Sequence, residues 1–320
     1  MSGTLFNTMQ KRNYALFLLL WLFLIAVRAQ QEPSFSHYWA MEPSFNPATA
    51  GKEMKMNVIG AYAMTLTGFE HNPRTMYISG DMPFVLLNKM HGVGLQIMND
   101  QIGLFQHQRL VAQYAYRQPL LGGTLSVGVQ AGLLSEKFKG SELDLEDSSD
   151  PAFSKSDDNG MALDLSAGVY YQHGPWYAGL SILHATAPTI ELGEKSIYNI
   201  SSSYYLTGGY NIKLHHPLLT IHPSMLIRYD GVAYRGDVTC RLKYTHDNRV
   251  MYAGVGYSPT NSVTAFIGGL FHGVMLGYSY EVYTSALSFG NGSHELFIGY
   301  QTEMDLSKKG RNKHQSVRFL

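Results

Sequence analysis

The sequence carries little charge, one cysteine, and no long apolar run after Val27. Each shortage excludes a class. Charged residues are 15% of the chain, against about a quarter in an ordinary soluble domain, so a surface wetted all round is not expected. Lys+Arg and Asp+Glu balance at 24 each, which lacks the basic excess of a nucleic-acid binder. The lone Cys240 has no internal disulfide partner, and no metal-type cysteine spacing exists; it reads as a small lipid-facing or core residue. Without an apolar run near the roughly 20 residues that span a bilayer as a helix, the chain is not a helical membrane protein either.

Catalytic constellations are missing too. Ser293-His294-Glu295 has the residue types of a triad, but consecutive side chains cannot converge as one. His215 and His216 are adjacent, so on a strand they point to opposite faces and do not share a metal. Gly92-Val93-Gly94 lies in a strand pattern and opens no helix, which rules out a phosphate loop. The stretch 135–160 is acidic, with Glu136, Glu142, Asp144, Glu146, Asp147, Asp150, Asp157 and Asp158. It lacks the glycine and terminal glutamate spacing of a calcium loop. It reads as a solvated outer loop, with a weak surface calcium or lipopolysaccharide-bridging site as the alternative. No enzyme activity, cofactor or resident metal is expected.

Glycine (32) and tyrosine (22) are abundant, which suits a lipid-facing surface bounded by aromatic girdles. Mean hydropathy is only -0.11, as it would be if every strand were apolar on one face and polar on the other. The first 29 residues read as an export signal. Lys11 and Arg12 form a charged start, Tyr14 to Val27 an apolar core, and Val27-Arg28-Ala29 a cleavage site. Cleavage is expected after Ala29, and Met9 is an alternative start.

From about residue 56 onward the apolar period is two. Val232, Tyr234, Val238, Cys240, Leu242 and Tyr244 share one face, and Arg235, Asp237, Thr239, Arg241, Lys243 and Thr245 the other. The run exceeds ten residues, which is long for a soluble strand and right for a tilted transmembrane one. Leu125 to Leu133 and Leu163 to Tyr171 repeat the pattern; so does Leu296 to Tyr300, with Phe297 as an apolar exception on the polar face. Turn signals such as Asp230-Gly231 and Asp247-Asn248 divide the chain into about fourteen strands. The even number permits a closed antiparallel barrel, and closure leaves no unpaired backbone in lipid. Short connections follow the even strands, and the long ones (135–160, 185–202, 284–292) follow odd strands. Since inner turns are short in such barrels, both termini are expected in the periplasm. Residues 30–55 would form a periplasmic N-terminal segment, 56–303 the barrel and 304–320 a basic periplasmic tail. Asp164 and Glu281 fall on the polar face and are expected to pair in the lumen with Arg235, Arg241 or Lys243.

Two stretches resemble a known family. The first runs Gln30-Gln31-Glu32-Pro33-Ser34-Phe35-Ser36-His37-Tyr38 and continues at Asn46-Pro47-Ala48-Thr49-Ala50-Gly51. The second is Gly277-Tyr278-Ser279-Tyr280-Glu281 with Gly292-Ser293-His294-Glu295-Leu296. These are similar to the motifs of the PorP/SprF family, with His37 and Glu281 replacing its usual Gln and Asp. The resemblance implies an outer-membrane barrel of the type IX protein secretion system, associated with a periplasmic lipoprotein ring of the PorK/PorN kind. That machine exports cargo, including gliding-motility adhesins in some species. Partners would then be outer-membrane lipids, ring subunits and secreted cargo. A general porin or apolar-solute channel is the rival reading.

Phe35, Tyr38 and Phe45 are aromatics in a segment without alternation, stiffened by Pro33 and Pro47. Aromatics without a core mark an interaction site or pack into the barrel mouth. The expected partner-binding residues are Pro33, Phe35, Ser36, Tyr38, Phe45, Asn46, Pro47 and Gly51.

Overall fold

The computed structural model describes residues 32–142, 157–193, 196–247, 249–259, 261–284 and 291–304. The export signal, most of the acidic loop (143–156) and the tail beyond 304 lie outside the described residues. Strands β1 (Lys55–Met64), β2 (Arg74–Leu86), β3 (Lys89–Ile102), β4 (Phe105–Leu120), β5 (Gly123–Lys139), β6 (Asp157–His173) and β7 (Trp176–Leu183) follow one another as antiparallel neighbours. Next come β8 (Thr189–Leu192), β9 (Ser196–Asn199), β10 (Ser203–Tyr210), β11 (Ile212–Lys213) and β12 (Leu219–Tyr229). The last five are β13 (Tyr234–His246), β14 (Arg249–Ser258), β15 (Ser262–Phe271), β16 (Val274–Tyr283) and β17 (Ser293–Glu303).

β10 and β11 pair with β12 in one unbroken register, Gly209 opposite Ser224 and Ile212 opposite Ile221. They act as one strand interrupted at Asn211, so the sheet has fourteen strands. Pairing of β1 with β17, from Lys55↔Glu303 to Met64↔His294, closes it. All fourteen sequence-expected strands are present in order. Several run further than the alternation indicated: β5 reaches Lys139 and β6 begins at Asp157, which shortens the acidic loop between them.

Alternation sorts the side chains. On β13, Val238, Cys240 and Leu242 are exposed outward, while Thr239 is buried and Asp237 and Arg241 are half-buried on the inner face. Outward Leu95, Leu163 and Ile267 are among the most exposed apolar residues, which in water would be untenable and in lipid is required. Aromatic girdles bound this band. Near the two-residue turns they include Phe84, Tyr114, Tyr116 and Trp176; near the long loops, Tyr62, Tyr204, Tyr229 and Tyr257. Two-residue turns such as Leu87-Asn88 and Leu121-Gly122 mark the short-turn end, which also holds the start of β1 and the end of β17.

At the long-loop end β8 and β9 pair as a hairpin within the connection 184–202. Ile190 and Leu192 are buried against Leu134 and Ala162 on the inner faces of β5 and β6. This hairpin is too short for its alternation to stand out in the sequence.

Candidate functional site

The lumen is filled by the chain's own N-terminal segment. Residues 32–54 descend from the long-loop half of the barrel to the short-turn end, where β1 begins. Of the two places expected for its aromatics, a partner contact or the barrel mouth, they occupy the inside of the barrel. Phe35, Tyr38, Phe45, Asn46, Pro47 and Gly51 are buried, and Pro33 and Ser36 are half-buried.

The segment has irregular backbone apart from two short 3-10 turns, Glu42–Ser44 and Pro47–Thr49. Buried irregular backbone needs side-chain partners, and the polar inner face of the strands supplies them. Gln96 and Gln113 donate to the Pro43 carbonyl at 2.6 and 2.7 Å. Arg109 donates to Ser44 O, Ser181 to Phe45 O and Arg117 to Ala50 O. Asp81 accepts from the Gly51 N–H at 2.6 Å. Asn46 caps the second turn by accepting from Ala48 N–H at 3.0 Å, and its amide donates to Val169 O at 3.1 Å.

The two sequence motifs, from opposite ends of the chain, meet here. The Glu295 carboxylate accepts from Ser36 N–H at 2.6 Å and His37 N–H at 3.1 Å, and lies 2.7 Å from His37 Nδ1. His37 packs its ring edge against Phe297 at 4.8 Å, so the apolar exception on β17 serves the plug. Phe35 lies 5.3 Å from Tyr77, Phe45 stacks on Tyr205 at 5.7 Å, and the Tyr38 hydroxyl lies 3.0 and 3.1 Å from Ser224 and Thr239. Glu281 pairs with Arg235 at 2.9 Å as expected. Among the described residues Asp164 pairs with no arginine or lysine; it lies 3.0 Å from His184, a loop residue whose reach could not be read from alternation.

Three strand glycines were missed as functional positions. A Cβ on Gly128 would sit 2.3 Å from Ala48 N, one on Gly168 2.1 Å from Asn46 Oδ1, and one on Gly92 1.9 Å from Ala50 O. All three face inward, and together they form the dent that receives the Asn46–Gly51 turn. Glycines recurring on a polar strand face were the available signal.

The top of the plug is tied by charge. Glu32 accepts from His184 at 2.8 Å and faces Arg109 at 3.6 Å. Burial pushes the Glu32 carboxyl up, but His184 and then Arg109 more than reverse this and hold it at about 2. Burial pushes His184 down, and Glu32 with Asp164 reverses that to about 9. The lowered carboxyl strengthens the tie above its ordinary 4.5 and loses that contribution as pH falls toward 2. The raised imidazole strengthens it below 6.5 and loses that contribution as pH rises through 9. Plug retention is therefore expected to peak between 4.5 and 6.5 and to weaken above 9. Acrylamide quenching of Trp39 in a Trp176→Phe background measures it; quenching no greater above pH 9 than between 4.5 and 6.5 would refute the tie.

Beneath the plug, at the short-turn end, remains a cavity of about 480 Å³. Trp39, Glu42 and Lys52 of the plug face Arg241, Lys243 and His222 of the wall across it. Lys52 contacts Glu42 and lies 5.2 Å over the Tyr170 ring. Burial alone would push the Lys52 ammonium down, but Glu42 raises it well above the ordinary lysine range. Among the described residues no group of three or more His, Cys, Asp or Glu could hold a metal.

A closed, girdled barrel with an apolar outer band and a polar plugged lumen defines a β-barrel protein of the outer membrane, crossing it with multiple strands. The chain belongs to the family described as type IX secretion system membrane protein PorP/SprF, which matches residues 27–300. Membership makes it a non-enzymatic membrane protein. No curated protein matches the chain. Solved structures that it resembles include the CymD monoaromatic hydrocarbon channel (12% identity, TM-score 0.45, covering 84% of this chain and 94% of that one). Others are the Acinetobacter baumannii outer membrane protein Omp33 (8%, 0.44, 78% and 98%) and the P. putida toluene transporter TodX (8%, 0.45, 81% and 92%).

Proposed function

We propose that this barrel is a docking component of type IX secretion, with its short-turn end in the periplasm and its rim there engaging the ring or cargo-handling subunits. The observation that carries this reading is an apolar patch on that rim. Leu87 and Leu121 are 87% and 85% exposed, with Leu86 and Leu120 beside them. They lie beyond the girdle of Phe84, His91, Tyr114 and Tyr116, past a polar step where Lys89 donates to Gln118 at 2.9 Å. They therefore project toward water. Both occupy left-handed backbone (φ 51 and 47) in turns where asparagine or glycine is usual, which costs roughly 1–2 kcal/mol per residue. An exposed, strained leucine repeated on two neighbouring hairpins suits a partner contact. The occupied lumen weighs against the porin and solute-channel reading.

Leu87→Asn with Leu121→Asn relieves turn strain, so the barrel should be at least as heat-resistant as the parent. Co-purification of ring lipoproteins from crosslinked envelopes should nonetheless fall about tenfold or more, as for truncated hot spots. Undiminished recovery of ring subunits would refute docking at this rim.

A further inference from the structure

We propose that the cavity at the short-turn end binds an acidic polypeptide segment, its carboxylates taken by Arg241 and Lys243; this rests on the docking reading above. The other lumenal arginines are answered. Arg109 meets Ser44 O and Glu32, Arg117 meets Ala50 O, and Arg228 and Arg235 share Asp237, with Glu281 also on Arg235. Arg241 and Lys243 line the same cavity, yet neither has a hydrogen-bond or ion-pair acceptor among the described residues. The Arg241 Nε is buried and unpartnered; Arg109, Arg117 and Arg228 also carry such a nitrogen, but each of those three donates elsewhere to an acceptor, and Arg241, among the described residues, does not.

Arg241 is nevertheless held in place. Its guanidinium carbon lies 3.8 Å from the centre of the Trp39 ring, and Tyr252 braces that ring edge-on at 4.9 Å. A stacked guanidinium keeps its in-plane donors available for a carboxylate. Lys243 follows two residues along the same inner face, about 7 Å away at strand rise. An extended peptide repeats its same-side residues at that spacing, so acidic residues at alternate positions would meet both cations together. Gln172 and Asn211 bring carboxamides to the cavity wall, and these suit peptide groups. Glu53 stands exposed on the same wall and leans to Lys52 at 3.7 Å; it would repel an acidic ligand and sets the opposite sign for one variant.

The test uses the mature full chain in detergent and a fluorescein-labelled heptapeptide with glutamate at alternate positions. Binding should weaken with salt. Arg241→Gln with Lys243→Gln should weaken it by about tenfold or more, and Glu53→Gln should tighten it. Lys243→Gln alone, away from the plug contacts, should weaken it with heat-modifiable mobility unchanged. Equal binding of the glutamine counterpart, equal binding by the double variant, or displacement by an equimolar amount of inorganic phosphate would each overturn the proposal. Failure here leaves docking at the leucine rim standing, because that is read separately by ring recovery with Leu87→Asn and Leu121→Asn.

Discussion

Gly128→Val is expected to unseat the plug and turn a closed barrel into one that conducts ions. The Cβ of any side chain at this position would lie 2.3 Å from Ala48 N and 2.4 Å from the Pro47 carbonyl carbon. Both obstacles are backbone, so no side-chain rotation relieves the clash. At Gly168 the obstacle is the tip of Asn46, which can swing aside, so the same change there should do less. The strand itself should not suffer, because valine fits a pleated sheet better than glycine does. With the Asn46–Gly51 turn displaced, the Gly51 bond to Asp81 and the Arg117 bond to Ala50 O go with it. A fourteen-strand barrel without its filling has room for a water channel. Planar-bilayer recordings should show lasting conductance for Gly128→Val and little for the parent. Gly236→Val is the control, since nothing lies within 4 Å of its Cβ position. Conductance equal to the parent's, with the variant folded, would show that the plug tolerates the intrusion.

The barrel was legible because period two repeats over strands of ten or more residues and turn residues separate them. Both signals are local. The plug is not a local feature. Its residues show no period, and its partners are one residue here and one there on many strands. The inner faces therefore read as simply polar, as a water-filled lumen would. What they hold instead are acceptors and donors for one irregular segment: Gln96, Gln113, Arg109, Arg117 and Ser181 each meet a plug carbonyl. The two motifs hold residues that the fold brings into contact, but neither says that they touch. Glu295 and Ser36 are 259 residues apart, and no spacing rule links them. Phe297 and the inward glycines broke the pattern because they serve the plug rather than the strand.

Phe35→Ala with Tyr38→Ala is expected to release the upper plug and sharply reduce secretion of type IX cargo while the barrel still assembles. From sequence, these aromatics were candidates for contact with a partner or for packing into the barrel mouth. Burial changes the mechanism. Phe35 packs on Tyr77 inside a cluster with Met41, Ile59 and Phe297. Tyr38 packs on Phe45, Leu183, Tyr205 and Leu226 and shares its hydroxyl with Ser224 and Thr239. Truncating a buried aromatic costs about 3–5 kcal/mol, and here two adjacent anchors go at once. What remains above Trp39 is the Glu32 tie, with Glu295 on Ser36 and His37, against a wall now missing its packing. The ladder of strands does not depend on these contacts, because closure runs through the backbone pairs of β1 with β17. Heat-modifiable mobility and outer-membrane levels should therefore match the parent, and the loosened segment should become a protease target. The cavity should lose its peptide affinity as well, since Trp39 forms its roof and holds Arg241. Released plug with normal cargo secretion would show that the segment is filling and nothing more. Loss of the barrel from the membrane would make it a folding element, and its role in docking would then have to be carried by the leucine rim alone.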